Sequence, residues 1–120
     1  MTRARETSEN ARQAKAWVNF DGTFATSPFT EANGGIRDSF NVTSVTDRGT
    51  GRYTVNLTNA MASTNYSVSA MCGNGDGVDM GATTSVANET VLTSSTFGIR
   101  VSQNDAAINK VFVSLIFFGE

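Results

Sequence analysis

The sequence predicts an all-β chain: an antiparallel, jelly-roll-like β-sandwich with a short N-terminal helix or arm. Two runs alternate between apolar and polar side chains. Tyr53, Val55 and Leu57 alternate with Thr54, Asn56 and Thr58, and Tyr66, Val68, Ala70 and Cys72 with Ser67, Ser69 and Met71. An extended backbone turns successive side chains to opposite faces, so each run is half-buried. Turn formers separate the runs, as in Asp47-Arg48-Gly49-Thr50-Gly51 before Tyr53. At 120 residues, 39% hydrophobic and 17% charged, the chain has room for one domain with one core.

Thr2–Ala16 is the one stretch expected to be helical, with good helix formers, no Gly or Pro, and an Arg5–Glu9 pair. Ala4, Thr7, Ala11, Ala14 and Val18 fall at heptad spacing, which would suit a short helical bundle on a symmetry axis, with Ala4 and Ala11 at an oligomer interface. Alanine and threonine make a weak seam, so a helix against the body or a frayed arm is the other reading. Residues 1–16 are therefore set apart as a helical or anchoring segment, and residues 17–120 as the sandwich domain.

Lys15–Phe20 opens the β body, with Trp17 and Val18 as anchors. Trp17 reads as a core plug before it reads as a sugar-stacking platform. Phe24–Gly35 contains Pro28 and the turn signal Asn33-Gly34-Gly35, and is an irregular connection or a short hairpin. From Phe40 and Val42 the pattern reads strand, tight turn, strand, short loop, strand, which is a meander. Gly73–Gly81 is rich in glycine and forms a loop whose Asn74, Asp76 and Asp79 are the candidate receptor contacts. These oxygens would suit calcium, but Val78 stands where an EF-hand loop needs Asp or Asn, and no Glu closes the pattern. No metal site is assigned.

Val86–Thr93 is ambiguous, and Phe97, Ile99 and Val101 mark another half-buried strand. Val111–Phe118 is apolar on both faces: Val111, Val113, Leu115 and Phe117 on one, Phe112, Ile116 and Phe118 on the other. Such a strand is expected to be central, and only one of its faces can look into the sandwich core. Phe112, Ile116 and Phe118 are therefore candidate oligomer-interface residues. The expected core is Tyr53, Val55, Leu57, Tyr66, Val68, Phe97, Ile99 and Val101.

Formal net charge is −2, with the basic excess confined to the first fifteen residues. The acidic β body argues against nucleic-acid binding. No apolar run approaches the ~20 residues of a membrane span, and the polar N-terminus does not read as a secretory signal. Cys72 is the only cysteine, so no intrachain disulfide forms, and its parity makes it a small hydrophobe. The chain has no histidine, the commonest general base and metal ligand. Carboxylate-pair hydrolysis is the enzyme class left open, and no feature selects a pair among the eleven acids. The chain is read as a non-enzyme without catalytic residues or cofactor.

AWVNFDGT at Ala16–Thr23, SFNVTSVTDRGTGRYTVNLTNAM at Ser39–Met61 and NYSV at Asn65–Val68 together resemble a small β domain of bacteriophage tail fibres and related virion proteins. The resemblance covers nearly the whole chain after Ala14 and departs between Thr23 and Ile36. It implies a virion protein assembled in the host cytoplasm, built as a homotrimer with other virion proteins, and attaching to a host surface glycan or protein. The alternative is a capsid decoration or head-fibre protein without receptor binding, motivated by the chain's size and lack of a long shaft. A glycan-degrading enzyme is the residual reading.

Overall fold

The computed structural model describes residues 13–73, 82–86, 92–104 and 106–119. Its strands are β1 (Ala14–Phe20), β2 (Ile36–Phe40), β3 (Val42–Asp47), β4 (Arg52–Leu57), β5 (Ser67–Gly73), β6 (Ala82–Val86), β7 (Thr96–Gln103), β8 (Ala106–Ala107) and β9 (Phe112–Phe118). They form a four-stranded sheet in the order β2-β1-β9-β5 and a five-stranded sheet in the order β3-β4-β7-β6, with β8 on β7. Every pairing is antiparallel. The antiparallel sandwich is thus the fold, and no described residue is helical.

Parity supplies the core. The inward faces carry Ala16, Val18 and Phe20 of β1, Tyr53, Val55 and Leu57 of β4, Phe97, Ile99 and Val101 of β7, and Val113, Leu115 and Phe117 of β9, all buried. Tyr66 and Val68 are only partly buried against this cluster, because β5 is an edge strand. Phe29, Ile36, Val45 and Met61 complete the core from outside the expected set. Val111 is exposed and precedes β9 rather than belonging to its inward face.

Two local expectations are corrected. Phe40 and Val42 do not share a strand: β2 pairs with β1, while β3 pairs with β4 in the other sheet. The chain changes sheets at Asn41, whose φ of 58° is the left-handed conformation that asparagine tolerates better than most residues. Its side chain fixes the corner. Nδ2 donates to Lys15 O at 3.1 Å and to Asn59 O at 3.0 Å, and Oδ1 accepts from Asn59 N–H at 2.7 Å.

The meander is also corrected. The β3–β4 hairpin forms, but β4 goes on to pair with β7, and β5 crosses to lie beside β9. Residues 58–66 have the reach to cross between stacked sheets roughly 10 Å apart. On the way, Met61 is buried beneath the crossing and its N–H donates to Ser94 O at 2.7 Å.

β1 begins at Ala14 and Ala16 is fully buried, so Ala14–Ala16 are strand and the heptad reading does not extend through Ala14 and Val18. Ala4 and Ala11 lie outside the described residues. Phe24–Gly35 is an irregular connection. Phe29 is buried and exchanges backbone bonds with Val45 at 2.8 and 3.0 Å. Asn33 ties the segment internally, with Oδ1 accepting from the N–H of Thr30 and of Gly35, each at 2.9 Å.

Tyr53 carries one polar atom into this apolar interior. Its ring packs edge-on to Phe20 at 5.2 Å, and its hydroxyl lies 2.7 Å from Gly22 O and 2.8 Å from Asn109 Oδ1. Gly22 has to be glycine, because a Cβ there would sit 2.6 Å from that hydroxyl and 2.5 Å from Lys110 O. Gly51, at φ +70°, donates its N–H to the same Asn109 Oδ1 at 2.8 Å.

Ile99→Ala or Leu57→Ala is expected to lower stability by about 2–5 kcal/mol, because each opens a cavity in a closed core. Urea denaturation checks this, with an unchanged slope. Burial, with Asp47 and Asp21 adding to it, pushes the Tyr53 phenol well above its ordinary 10.0. The folded state therefore holds a proton that the unfolded chain releases near pH 10. Stability is fully present below that pH and is expected to fall as pH rises above it. Tyr53→Phe should make the alkaline decline shallower, while lowering neutral-pH stability by about 1–3 kcal/mol, because Gly22 O is left without its donor.

Candidate interaction surface

The outward parity of the four-stranded sheet brings together side chains that lie far apart in sequence. Trp17 on β1 stands opposite Phe40 of β2 on one side and Ile116 of β9 on the other. Ile116 in turn stands opposite Ser69 of β5, so one row crosses all four strands as Phe40, Trp17, Ile116, Ser69. In the neighbouring rows Phe118 pairs with Ser67, Met71 with Ser114, and Phe112 with Gly73. Phe40 is 52% exposed, Met71 72% and Phe118 36%, while Trp17, Phe112 and Ile116 are half-buried.

The interface residues expected from sequence, Phe112, Ile116 and Phe118, therefore do share the outer face. Trp17 is corrected: it is not a core plug but stands on that face. The parity of β1 carried the signal, because Val18 and Phe20 point inward and Trp17 must point outward. Phe40 and Met71 join the patch through cross-strand register, which one strand's alternation does not reveal.

Charge is confined to the margin. Lys15 and Asp38 have outward parity toward the β1–β2 side. Arg37, the extra residue where the β1–β2 register shifts, donates from Nη1 to Asn19 Oδ1 at 3.1 Å and from Nη2 to Val111 O at 2.7 Å. A contiguous apolar patch of more than a few hundred Å² is uncommon on a monomer and marks a contact surface.

The receptor-contact candidates Asn74, Asp76 and Asp79 lie outside the described residues, as does most of the Gly73–Gly81 loop. Among the described residues no three His, Cys, Asp or Glu side chains gather into a metal-holding group. Cys72 is half-buried and packs against the core from the inward side of β5. Comparison of the chain with family models, curated proteins and solved structures returns no match.

Trp17 is the only tryptophan and reports on this face directly. Its emission is expected to shift to the blue, and its acrylamide quenching to fall, as protein concentration rises and the face is covered. Spectra that stay constant from nanomolar to high micromolar concentration would remove the face as a concentration-dependent contact.

Proposed function

We propose that the chain is a structural module of a bacteriophage virion: an oligomeric tail-fibre or adhesion domain that attaches to a host surface receptor. The observation that carries the reading is the apolar row Phe40–Trp17–Ile116 on the outer face of the four-stranded sheet. A small sandwich that assembles must hold one such face back from its core, and a second copy of the chain is the occupant that fits it. Residues 1–12 do not suit the role, since their sequence is Arg- and Glu-rich with only Met1, Ala4 and Ala11 apolar.

The resemblance to tail-fibre domains supports threefold assembly, because fibres are built on threefold axes, whereas general base rates favour a dimer. The words that carry the resemblance fall on β1, on the β3–β4 hairpin and on the entry to β5. In this reading the sandwich is a rigid platform and the Gly73–Gly81 loop a receptor contact. A capsid decoration role would use the same assembly face and differ in position on the particle. Gold labelling of the particle separates the two, with label at the tail expected.

Ile116→Asp or Phe118→Asp is expected to break the assembly, because a carboxylate buried in an apolar contact lacks a partner. Sedimentation at micromolar concentration should show the wild type at three times the chain mass and the variants as monomers. A monomeric wild type would overturn the interface; a dimer would overturn the threefold arrangement alone.

A further inference from the structure

The Phe24–Gly35 connection is held together by one exposed side chain. The amide of Asn33 makes three hydrogen bonds within its own segment: Oδ1 accepts from the N–H of Thr30 and of Gly35, and Nδ2 donates to Pro28 O, each at 2.9 Å. Its main-chain N–H donates to Thr30 Oγ1 at 3.1 Å, so backbone and side chain are both restrained. Gly34 follows, with a φ of 87° that glycine adopts without strain. Nothing stands within 4 Å of where its Cβ would be, and both residues are exposed to solvent. With no side chain to hinder it, the nitrogen after such an asparagine is well placed to attack the asparagine's own carbonyl carbon. The same segment guards two sheet edges. Phe29 exchanges backbone bonds with Val45 of β3, and Ser39 Oγ of β2 donates to Glu31 Oε1 at 2.7 Å.

We propose that Asn33 is a site of spontaneous deamidation that these bonds restrain, and that its conversion releases the segment guarding β2 and β3. In the reaction Gly34 N bonds to Asn33 Cγ and the Cγ–Nδ2 bond breaks. Nδ2 leaves as ammonia with the Gly34 amide proton, and a cyclic imide remains. Water then opens the imide at either carbonyl, giving aspartate or isoaspartate and one new negative charge. Ring closure requires Asn33 to turn until Gly34 N meets Cγ. That rotation breaks the bonds to Thr30, Gly35 and Pro28, so the native hydrogen bonds slow the step. The product cannot remake them all. The donor to Pro28 O has departed, and in isoaspartate the main chain runs through the former side chain and is one atom longer. The Thr30 and Gly35 N–H groups then lose the acceptor that held Phe29 and Glu31 in place. The other Asn-Gly pair, Asn74-Gly75, lies outside the described residues.

The test ages the full-length protein in warm, mildly alkaline buffer, folded in one arm and unfolded in urea in the other. Trypsin cleavage after Lys15 and Arg37 isolates residues 16–37, in which Asn33-Gly34 is the only Asn-Gly pair. Mass spectrometry with electron-transfer fragmentation then counts asparagine, aspartate and isoaspartate at position 33. Conversion in the folded chain is expected to be at least about tenfold slower than in urea. A folded chain that converts as fast as the unfolded one, or faster, overturns the restraint. The aged folded chains that do convert at Asn33 carry an extra negative charge and separate by anion exchange. In them the Phe29 and Val45 amides should exchange hydrogen at least about tenfold faster, while Leu115 in central β9 stays as protected as before. Unchanged protection at Phe29 and Val45 overturns the release, and loss of protection at Leu115 as well overturns its confinement to the guarded edges.

Discussion

The buried hydroxyl of Tyr53 is the constraint that the sandwich is arranged around. An apolar interior tolerates a phenol only if its oxygen finds partners, and here both partners belong to connections rather than strands. Gly22 follows β1 and Asn109 precedes β9, the adjacent central strands of the four-stranded sheet, while Tyr53 itself belongs to β4 of the other sheet. One side chain therefore ties the two sheets together at their Phe20 end. Asn109 passes the tie on to Gly51, whose carbonyl accepts from Val101 N–H at 2.6 Å and so reaches β7. The rings of Phe20 and Phe29 stand around the phenol and exclude water from it. At the opposite end Tyr66 repeats the device more loosely. Its hydroxyl lies 2.8 Å from Thr93 O and its ring meets Phe97 and Phe117.

With the core closed in this way, the same two-residue period that fills the interior also writes the outer faces. In the four-stranded sheet the outward positions set Phe40, Trp17, Phe112, Ile116, Phe118 and Met71 among serines and marginal charges; in the five-stranded sheet they are mostly hydroxyl, amide and guanidinium. A sandwich needs neither pattern for its own stability, since inward positions alone supply the core. On the proposed reading, the apolar face is the one that a second copy of the chain would cover, where burial dominates.

How much of this was legible in the sequence depends on the range of the interaction involved. Alternation is a local property, and it located the inward faces of β4, β7 and β9 and the outward Phe112, Ile116 and Phe118. Pairing is not local. Nothing in Tyr66–Cys72 states that β5 abandons β4 for β9, because pairing is settled by which backbone edge is free and not by a strand's own alternation. Asn41 shows the same limit at a single residue: between Phe40 and Val42 it continues the alternation, and only a positive φ reveals that the chain turns a corner there. Phe29 was hidden for another reason. It lies in an irregular segment without a period, and it joins the core through one bridge to Val45.

The edges of the sheets limit how any other chain could add to them. An edge strand offers unpaired backbone donors and acceptors to any neighbour, and native proteins blunt such edges. β3, at the edge of the five-stranded sheet, is capped where Phe29 exchanges both backbone bonds with Val45. β2, at the edge of the four-stranded sheet, places Arg37, Asp38 and Ser39 in sequence, and Ser39 Oγ donates to Glu31 at 2.7 Å from the same connection. The Phe24–Gly35 segment, where the chain departs from the tail-fibre pattern, thus serves both edges on this side of the sandwich. Strand addition there is blocked by chain already in place and by charge. Contact across the apolar row is not, because Phe40, Trp17 and Ile116 project perpendicular to the backbone bonds that the edge residues guard. On this side of the molecule the fold closes the edge-to-edge route and leaves the face-to-face one open.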